Sequence, residues 1–369
     1  MPAPKNLYAR RRGGMATYGV RNHAPLRMSS SPFASLASLA ENFANGLDAM
    51  LEQHSGLGVY ILVLANAAYD PTLWTRLSPA LAKRHAELAG RLTAALRRGD
   101  TLAEPDDDVM VFLKLNLVGF DHLGQMQSRR AGPWQVMFNP LRALRPPRSS
   151  GQRFAGLRRP FDAAGFHFNK PFLAKEVFWE GELAGKPARL LYNKFPFAHL
   201  HGLLVPNPDL QSPQMLTPEL HGWAWNLCAL AGIRGLCLGY NSIGAGASVN
   251  HLHFQSFVQA DPLPVQDASF AHNGGADPYP LPCKRFSEPV DAWFELDRLH
   301  TQRIPYNLLY ARNCMYLMAR VPQDSDRLSA QSRGYGWSEM AGAVTLFSRE
   351  TYEGLDAKEF AAELANFAP

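Results

Sequence analysis

The feature that most constrains this chain is residues 238–258, Leu-Gly-Tyr-Asn-Ser-Ile-Gly-Ala-Gly-Ala-Ser-Val-Asn-His-Leu-His-Phe-Gln-Ser-Phe-Val. Its last ten residues, 249–258, read as a strand. Side chains alternate in an extended chain, so Val249, His251, His253, Gln255 and Phe257 fall on one face and Leu252, Phe254 and Val258 on the other. A row of His251, His253 and Gln255 opposite an apolar face must meet something polar. Just upstream, Gly239, Gly244 and Gly246 permit close backbone approach to a bound group, and Asn241, Ser242 and Ser248 offer donors. On the residues alone three readings stay open: structurally satisfied histidines, a metal held by two imidazoles on one side of a strand, and phosphate chemistry.

At 369 residues, with 46% hydrophobic and 19% charged content, the chain is long enough for one large domain or two ordinary ones. The longest apolar run, 57–69, falls short of the roughly 20 residues of a membrane span. It reads as a buried strand or helix, and a soluble protein without a membrane partner is expected. The net charge of +5 suggests nucleic acid until it is located. Residues 1–40 hold Lys5, Arg10, Arg11, Arg12, Arg21 and Arg27 and no acid, which leaves 31 basic against 32 acidic residues in the rest. A neutral body speaks against a nucleic-acid surface. The basic leader, 1–32, reads as a disordered tail, with an organelle transit peptide as the alternative. Cys228, Cys237, Cys283 and Cys314 are widely spaced, so they are expected to be reduced and the protein cytoplasmic.

Along the chain, helical spacing marks 32–55, and Ser78 with Pro79 reads as the start of a helix that Gly99 closes. A charged turn at Asp106–Asp108 precedes 109–120, which reads as a strand, as does 134–139. Residues 141–148 are basic and 146–161 form a loop. Strands follow at 166–168, 177–180, 189–193 and 203–206. A helix then starts at Thr217 and Pro218, with Leu220, Trp223, Leu227 and Leu230 on one face and Gly232 as its stop. The stretch 259–289 reads as a mobile loop, 292–300 as a helix, 306–319 as a hairpin turning near Arg312 and Asn313, 341–347 as a strand and 356–367 as a last helix. This order gives an α+β fold, a sheet with flanking helices.

Residues 238–255 go beyond a pattern: they closely resemble the GDP-hexose phosphorylases, in the galactose-1-phosphate uridylyltransferase-like branch of the histidine-triad superfamily. The likeness runs collinearly from about 135 to 355. Residues 137–148 keep Asn139 and Arg142 but carry Met137 where the family has glutamine. Phe166-His167-Phe168-Asn169-Lys170 resembles Phe-Asn-Phe-Asn-Lys, with His167 in place of an asparagine. At 196–206, His201 takes the family histidine and Leu200 replaces a glycine. Ile304-Pro305-Tyr306-Asn307 and 337–352 also match in order.

The resemblance implies an antiparallel histidine-triad-like sheet in a single catalytic unit, 33–369, with a catalytic half at about 135–260 and a second half at about 290–369. It implies cleavage of a nucleoside diphosphate sugar, GDP-hexose first, with inorganic phosphate as co-substrate and no further cofactor. His253 would be the nucleophile, His251 would position it or the phosphate, and Gln255 would donate to a non-bridging oxygen. Arg142, Asn169 and Lys170 are candidate phosphate contacts, with Asn139 and His201 near the site. A glutamine in place of a third histidine cannot protonate a poor leaving group, and a sugar phosphate needs no proton. That favours transfer to phosphate over hydrolysis. A metal is not required by this mechanism, and no Cys or carboxylate stands at ligand spacing from His251 and His253. The alternatives are a nucleotide hydrolase or dinucleotide phosphorylase of the same fold, and a non-catalytic nucleotide-binding module. A homodimer is compatible with each.

Overall fold

Asp70 and Pro71 open the longest helix. In the computed structural model, which describes residues 31–124, 126–144 and 153–369, the Asp70 carboxylate accepts the N–H groups of Thr72 and Leu73. Most of the basic leader and residues 145–152 lie outside the described residues. The N-terminal elements are α1 (Leu36–Gln53), α2 (Leu57–Tyr69), α3 (Pro71–Arg98) and α4 (Asp106–Val118). Two expectations are corrected here. The helix expected from Ser78 begins at Pro71, because Asp70-Pro71 is the same cap signal eight residues upstream and Leu73 and Leu77 continue the buried stripe of Leu81, Leu88 and Leu92. The strand expected at 109–120 is helix α4: three aspartates favour a helix N-terminus, and Val109, Phe112 and Leu115 are buried at helical spacing while Leu117 is exposed.

Then come β1 (Gln127–Ala131), β2 (Trp134–Phe138), α5 (Pro140–Ala143), β3 (Val177–Leu183), β4 (Lys186–Tyr192), β5 (His199–Pro206), α6 (Pro218–Leu230), β6 (Leu236–Asn241) and β7 (Phe254–Val258). The chain ends with β8 (Cys283–Phe286), α7 (Pro289–Gln302), β9 (Tyr306–Ala311), β10 (Cys314–Ala319), α8 (Trp337–Met340), β11 (Ala343–Leu346), α9 (Arg349–Gly354) and α10 (Ala357–Ala365). Residues 166–168 are not a strand; they form a turn packed on the histidine loop. The stretch 259–289 carries edge strand β8 and the buried Phe270 and Leu281. Leu230, expected on the packed face of α6, is exposed.

Eight strands form one antiparallel sheet in the order β3-β4-β5-β7-β6-β9-β10-β8, and β1-β2-β11 form a small second sheet in which β11 runs parallel to β2. Both bear out the α+β expectation. Alternation sorts the strand residues into two cores. Leu238, Tyr240, Phe254, Leu308 and Tyr310 face the helical layer, where Trp223 and Leu227 of α6 join them. Cys237, Phe257, Leu309 and Met318 face the small sheet, with Trp134, Val136 and Trp337. Gln255 alternates with Phe254 and so lies on the small-sheet side, between the two sheets. The strand order β5–α6–β6–β7, with β7 returning between β5 and β6, recurs as β8–α7–β9–β10, with β10 between β8 and β9. Antiparallel pairing of β6 with β9 joins the two sets.

Candidate active site

The strand expected at 249–258 begins only at Phe254, so His251 and His253 stand in the loop between β6 and β7 rather than in a paired strand. Unpaired backbone there needs other partners. Gln214, fully buried, supplies them: its Oε1 accepts the His253 N–H at 2.9 Å, and its Nε2 donates to the carbonyls of Asn241 at 2.9 Å and His253 at 3.2 Å. Its own N–H is donated to Asn250 Oδ1 at 3.0 Å. Sequence reasoning missed Gln214, and a lone glutamine in a Ser-Pro-Gln turn carries no signal that could have found it.

The buried His253 ring donates Nδ1–H to the carbonyl of His251 at 2.8 Å, which puts its lone pair on Nε2. The edge of Phe168 lies against it, with ring centroids 4.9 Å apart. His251 is oriented differently. Its Nδ1 accepts the Phe168 N–H at 3.2 Å, and Phe168 stacks on its ring. With Nδ1 accepting, the ring hydrogen of the neutral imidazole sits on Nε2. Burial, with His253 adding to it, pushes the His251 pKa down to about 4, so the ring is neutral near pH 7. Thus the His251 carbonyl touches the His253 ring while the His251 side chain anchors the 166–170 turn.

Gln255 is bracketed at its carbonyl end. Its Oε1 accepts from Trp337 Nε1 at 3.0 Å and lies 3.1 Å from His201 Nε2. His201 Nδ1 accepts the Phe197 N–H at 3.3 Å, so the ring hydrogen sits on Nε2 and is donated to Gln255. Burial, first of all, pushes the His201 pKa down to about 3; the Gln255 bond opposes this and Arg142 adds to it. Phe197 lies edge-on to His201 at 4.4 Å and carries the Arg142 guanidinium over its face at 4.6 Å. Arg142 is half-buried and donates to the Phe195 carbonyl at 3.3 Å. Its desolvation lowers its pKa, and Glu339 and Tyr69 oppose that. Glu339 in turn is pushed up by burial, against the pull of Arg142 and Arg320.

The other sequence-derived residues hold the walls. Asn139 caps α5 and donates to the Pro196 carbonyl at 3.2 Å. Asn169 donates to the Pro208 carbonyl and accepts from Arg189, and Lys170 donates to the carbonyls of Ala163 and Ala164. Asn241 accepts from Asn307 and from the Trp337 N–H, and Ser242 accepts from the Tyr306 N–H. Gly244 and Gly246 both have positive φ; Phe154 fills the space a Gly244 side chain would take, and the Gly246 N–H meets Gln323 Oε1 at 2.8 Å. Ser248 is exposed. The three departures from the family pattern are used internally. Met137 accepts from Tyr69, His167 accepts the Asn169 N–H and meets the Ala163 carbonyl, and Leu200 sits buried at φ +50° within a bulge between β5 and β7. His199 pairs with Asp70 at 2.7 Å, away from the Gln255 bracket. Among the described residues no three His, Cys, Asp or Glu side chains are grouped to hold a metal ion, and no helix is long and apolar enough to cross a membrane.

Comparison with known proteins bears out the resemblance read from the sequence. Residues 134–257 match the family model described as GDPGP1-like, N-terminal domain. The chain is 31% identical over 196 residues to GDP-D-glucose phosphorylase 1 of Homo sapiens, covering 50% of this chain and 46% of that protein. It is 37% identical over 82 residues to GDP-L-galactose phosphorylase 1 of Arabidopsis thaliana, covering 22% of this chain and 19% of that one. The chain thus spans about half the length of the first of these curated relatives and less of the second. Among solved structures it is similar to yeast Ap4A phosphorylase Apa2 in complex with Ap4A, with a TM-score of 0.47 and 18% identity over 72% of this chain and 98% of that one.

Proposed function

We propose that this chain is a nucleotidyltransferase that cleaves a nucleoside diphosphate hexose, with GDP-hexose as first substrate, using inorganic phosphate. The observation that carries the reading is the His253 tautomer: an Nδ1–H held by the His251 carbonyl at 2.8 Å leaves the lone pair on Nε2, on a loop within the family-model match of 134–257, in a chain with relatives named GDP-D-glucose and GDP-L-galactose phosphorylase. In the first step His253 Nε2 attacks the α-phosphorus and the bond from that phosphorus to the bridging oxygen breaks. The electron pair leaves with hexose 1-phosphate, a good leaving group that takes no proton. The positive charge that develops on the imidazole is met by the His251 carbonyl. Phosphate then attacks the nucleotidyl-histidine, releasing nucleoside diphosphate and restoring neutral His253. Neither step requires a cofactor.

Gln255 supports transfer over hydrolysis, since an amide donates to a non-bridging oxygen and supplies no acid. Arg142, whose guanidinium lies over Phe197 beside His201, would face the phosphates. The recurring strand order supports two histidine-triad-like halves within one unit, about 135–260 and about 290–369, and β8 extends the second half upstream. Only the first half carries the long β6–β7 loop, since β9 and β10 are joined by the two residues Arg312 and Asn313. We place the enzyme in the cytoplasm, without nucleic-acid or membrane partners, and a homodimer is the assembly to test by sedimentation.

The test is incubation with GDP-, UDP- and ADP-hexoses, with and without phosphate, followed by separation of the nucleotides. Phosphate-dependent release of nucleoside diphosphate and hexose 1-phosphate supports the reading and names the base. Nucleoside monophosphate formed without phosphate points to a hydrolase, and no product from any donor overturns the reading.

A further inference from the structure

We propose that Trp337 is a positioning residue for the transferred phosphate: its indole N–H, together with His201 Nε2–H, holds the carbonyl oxygen of Gln255 and so turns the Gln255 amide NH2 toward the substrate. The proposal rests on the functional reading above. Glutamine can present either end of its amide, and the two ends have opposite meaning for a phosphate. The NH2 end donates to a non-bridging oxygen, whereas the carbonyl end sets lone pairs against lone pairs. An indole nitrogen only donates, so the atom 3.0 Å from Trp337 Nε1 is the oxygen. The second donor agrees. His201 takes the Phe197 N–H on Nδ1 and therefore carries its hydrogen on Nε2, 3.1 Å from the same oxygen. Asn193 Nδ2 also lies 3.3 Å from that ring nitrogen, but an amide NH2 only donates and so cannot take its hydrogen, which goes to Gln255.

Trp337 is built to hold this place. Its ring stacks on Phe257 with centroids 4.6 Å apart and 19° between planes. Its backbone N–H is donated to Asn241 Oδ1 at 2.8 Å, and Glu339 of the same short helix accepts the Gly336 N–H at 2.9 Å. Gly239 of β6 makes the approach possible, because a Cβ there would overlap the indole. The buried Trp337 indole thus reaches the reacting centre through Gln255, while its backbone N–H holds Asn241.

The experiment combines turnover with the indole resonance of the ligand-free protein. Trp337→Phe keeps the stacked ring and removes the donor. It should lower kcat for phosphorolysis about tenfold with KM for the nucleotide sugar nearly unchanged. Gln255→Ala should lower kcat about 10²-fold, and the double variant should be no slower than Gln255→Ala. A structural role alone would make the two losses multiply, which would overturn the proposal. Independently, the Trp337 Nε1–H resonance should move upfield in Gln255→Ala. It should stay in place in Gln255→Glu, which keeps an acceptor but has no N–H and should be as slow as Gln255→Ala. An indole resonance unmoved by Gln255→Ala would also overturn the proposal. If the wild-type chain turns over no donor, the functional reading fails and the phosphate role with it, while the indole shift still decides whether the bracket exists.

Discussion

In the proposed mechanism His253 and Gln255 divide the chemistry of the row between them, and each has its own outcome under substitution. His253→Ala should reduce turnover by about three orders of magnitude or more while nucleotide binding, measured by calorimetry, changes little. Turnover near that of the wild type would remove His253 as nucleophile. Gln255→His should raise nucleoside monophosphate relative to diphosphate, because an imidazole in that position can protonate a leaving group; an unchanged product ratio would sink the account of Gln255. The identity of these residues is legible in the sequence, and so is the face that Gln255 shares with Phe257. What the sequence conceals is the use of each ring. His251 and His253 stand two residues apart in matching chemical guise, yet one ring anchors a neighbouring turn and the other is oriented by a backbone carbonyl.

At the level of elements, one carboxylate ties the longest helix to the large sheet. Asp70 caps α3 and also pairs with His199 at the start of β5, and that hydrogen bond, more than any other cause, holds its pKa down to about 2. Asp70→Ala should destabilise the chain by about 0.5–2 kcal/mol, the usual range for a lost cap, read as a lowered urea midpoint. Asp70→Asn keeps the cap acceptor and should cost less. At Gly239, Gly239→Ala should displace the Trp337 indole and cost at least ~1 kcal/mol, since overpacking a filled core moves its neighbours. A crystal structure with Trp337 unmoved would contradict this. Both elements show how local signals compete. Ser78-Pro79 and Asp70-Pro71 are equally good helix starts, and only the buried Leu73 and Leu77 choose between them.

Over the whole molecule, stability should fall on the acid side. Burial holds His201 at about 3, His251 at about 4 and His300 at about 4, against an ordinary value of 6.5. Below pH 6.5 the unfolded chain therefore binds protons that the folded chain refuses. The contribution of these groups is complete above about pH 6.5 and is lost as pH falls toward their folded values. Asp70 adds a further loss between its ordinary value of 3.8 and about 2. Glu176, pushed up to about 7 by burial, and Glu339, raised by burial as well, work in the opposite direction: their unfavourable contributions at higher pH are relieved on acidification. His85, His221 and His272 are lowered by burial as well, so the histidines outnumber these carboxyls and the thermal midpoint should decline from pH 7 to pH 4. His300→Gln should flatten that decline. A midpoint that holds steady over this range would contradict the buried, neutral state assigned to these rings.

The sequence by itself determined the α+β class, most of the strands from 134 onward, the helices capped by Thr217 and Gly99, and the polar row on which the proposed chemistry rests. These follow from local causes: side-chain alternation, helix caps, and a motif confined to twenty-one contiguous residues. Only the tertiary structure decided that 109–120 is a helix, that 166–168 is a turn, and that Gln214, Trp337 and His201 frame the row. The parallel pairing of β2 with β11 joins residues about two hundred positions apart, and it closes the small sheet over the face that carries Gln255. Local spacing cannot express such a pairing, because what selects it is the apolar surface two distant segments can bury together. The direction of the Gln255 amide has the same origin: its two donors come from β5 and α8, and the fold alone brings them to one oxygen.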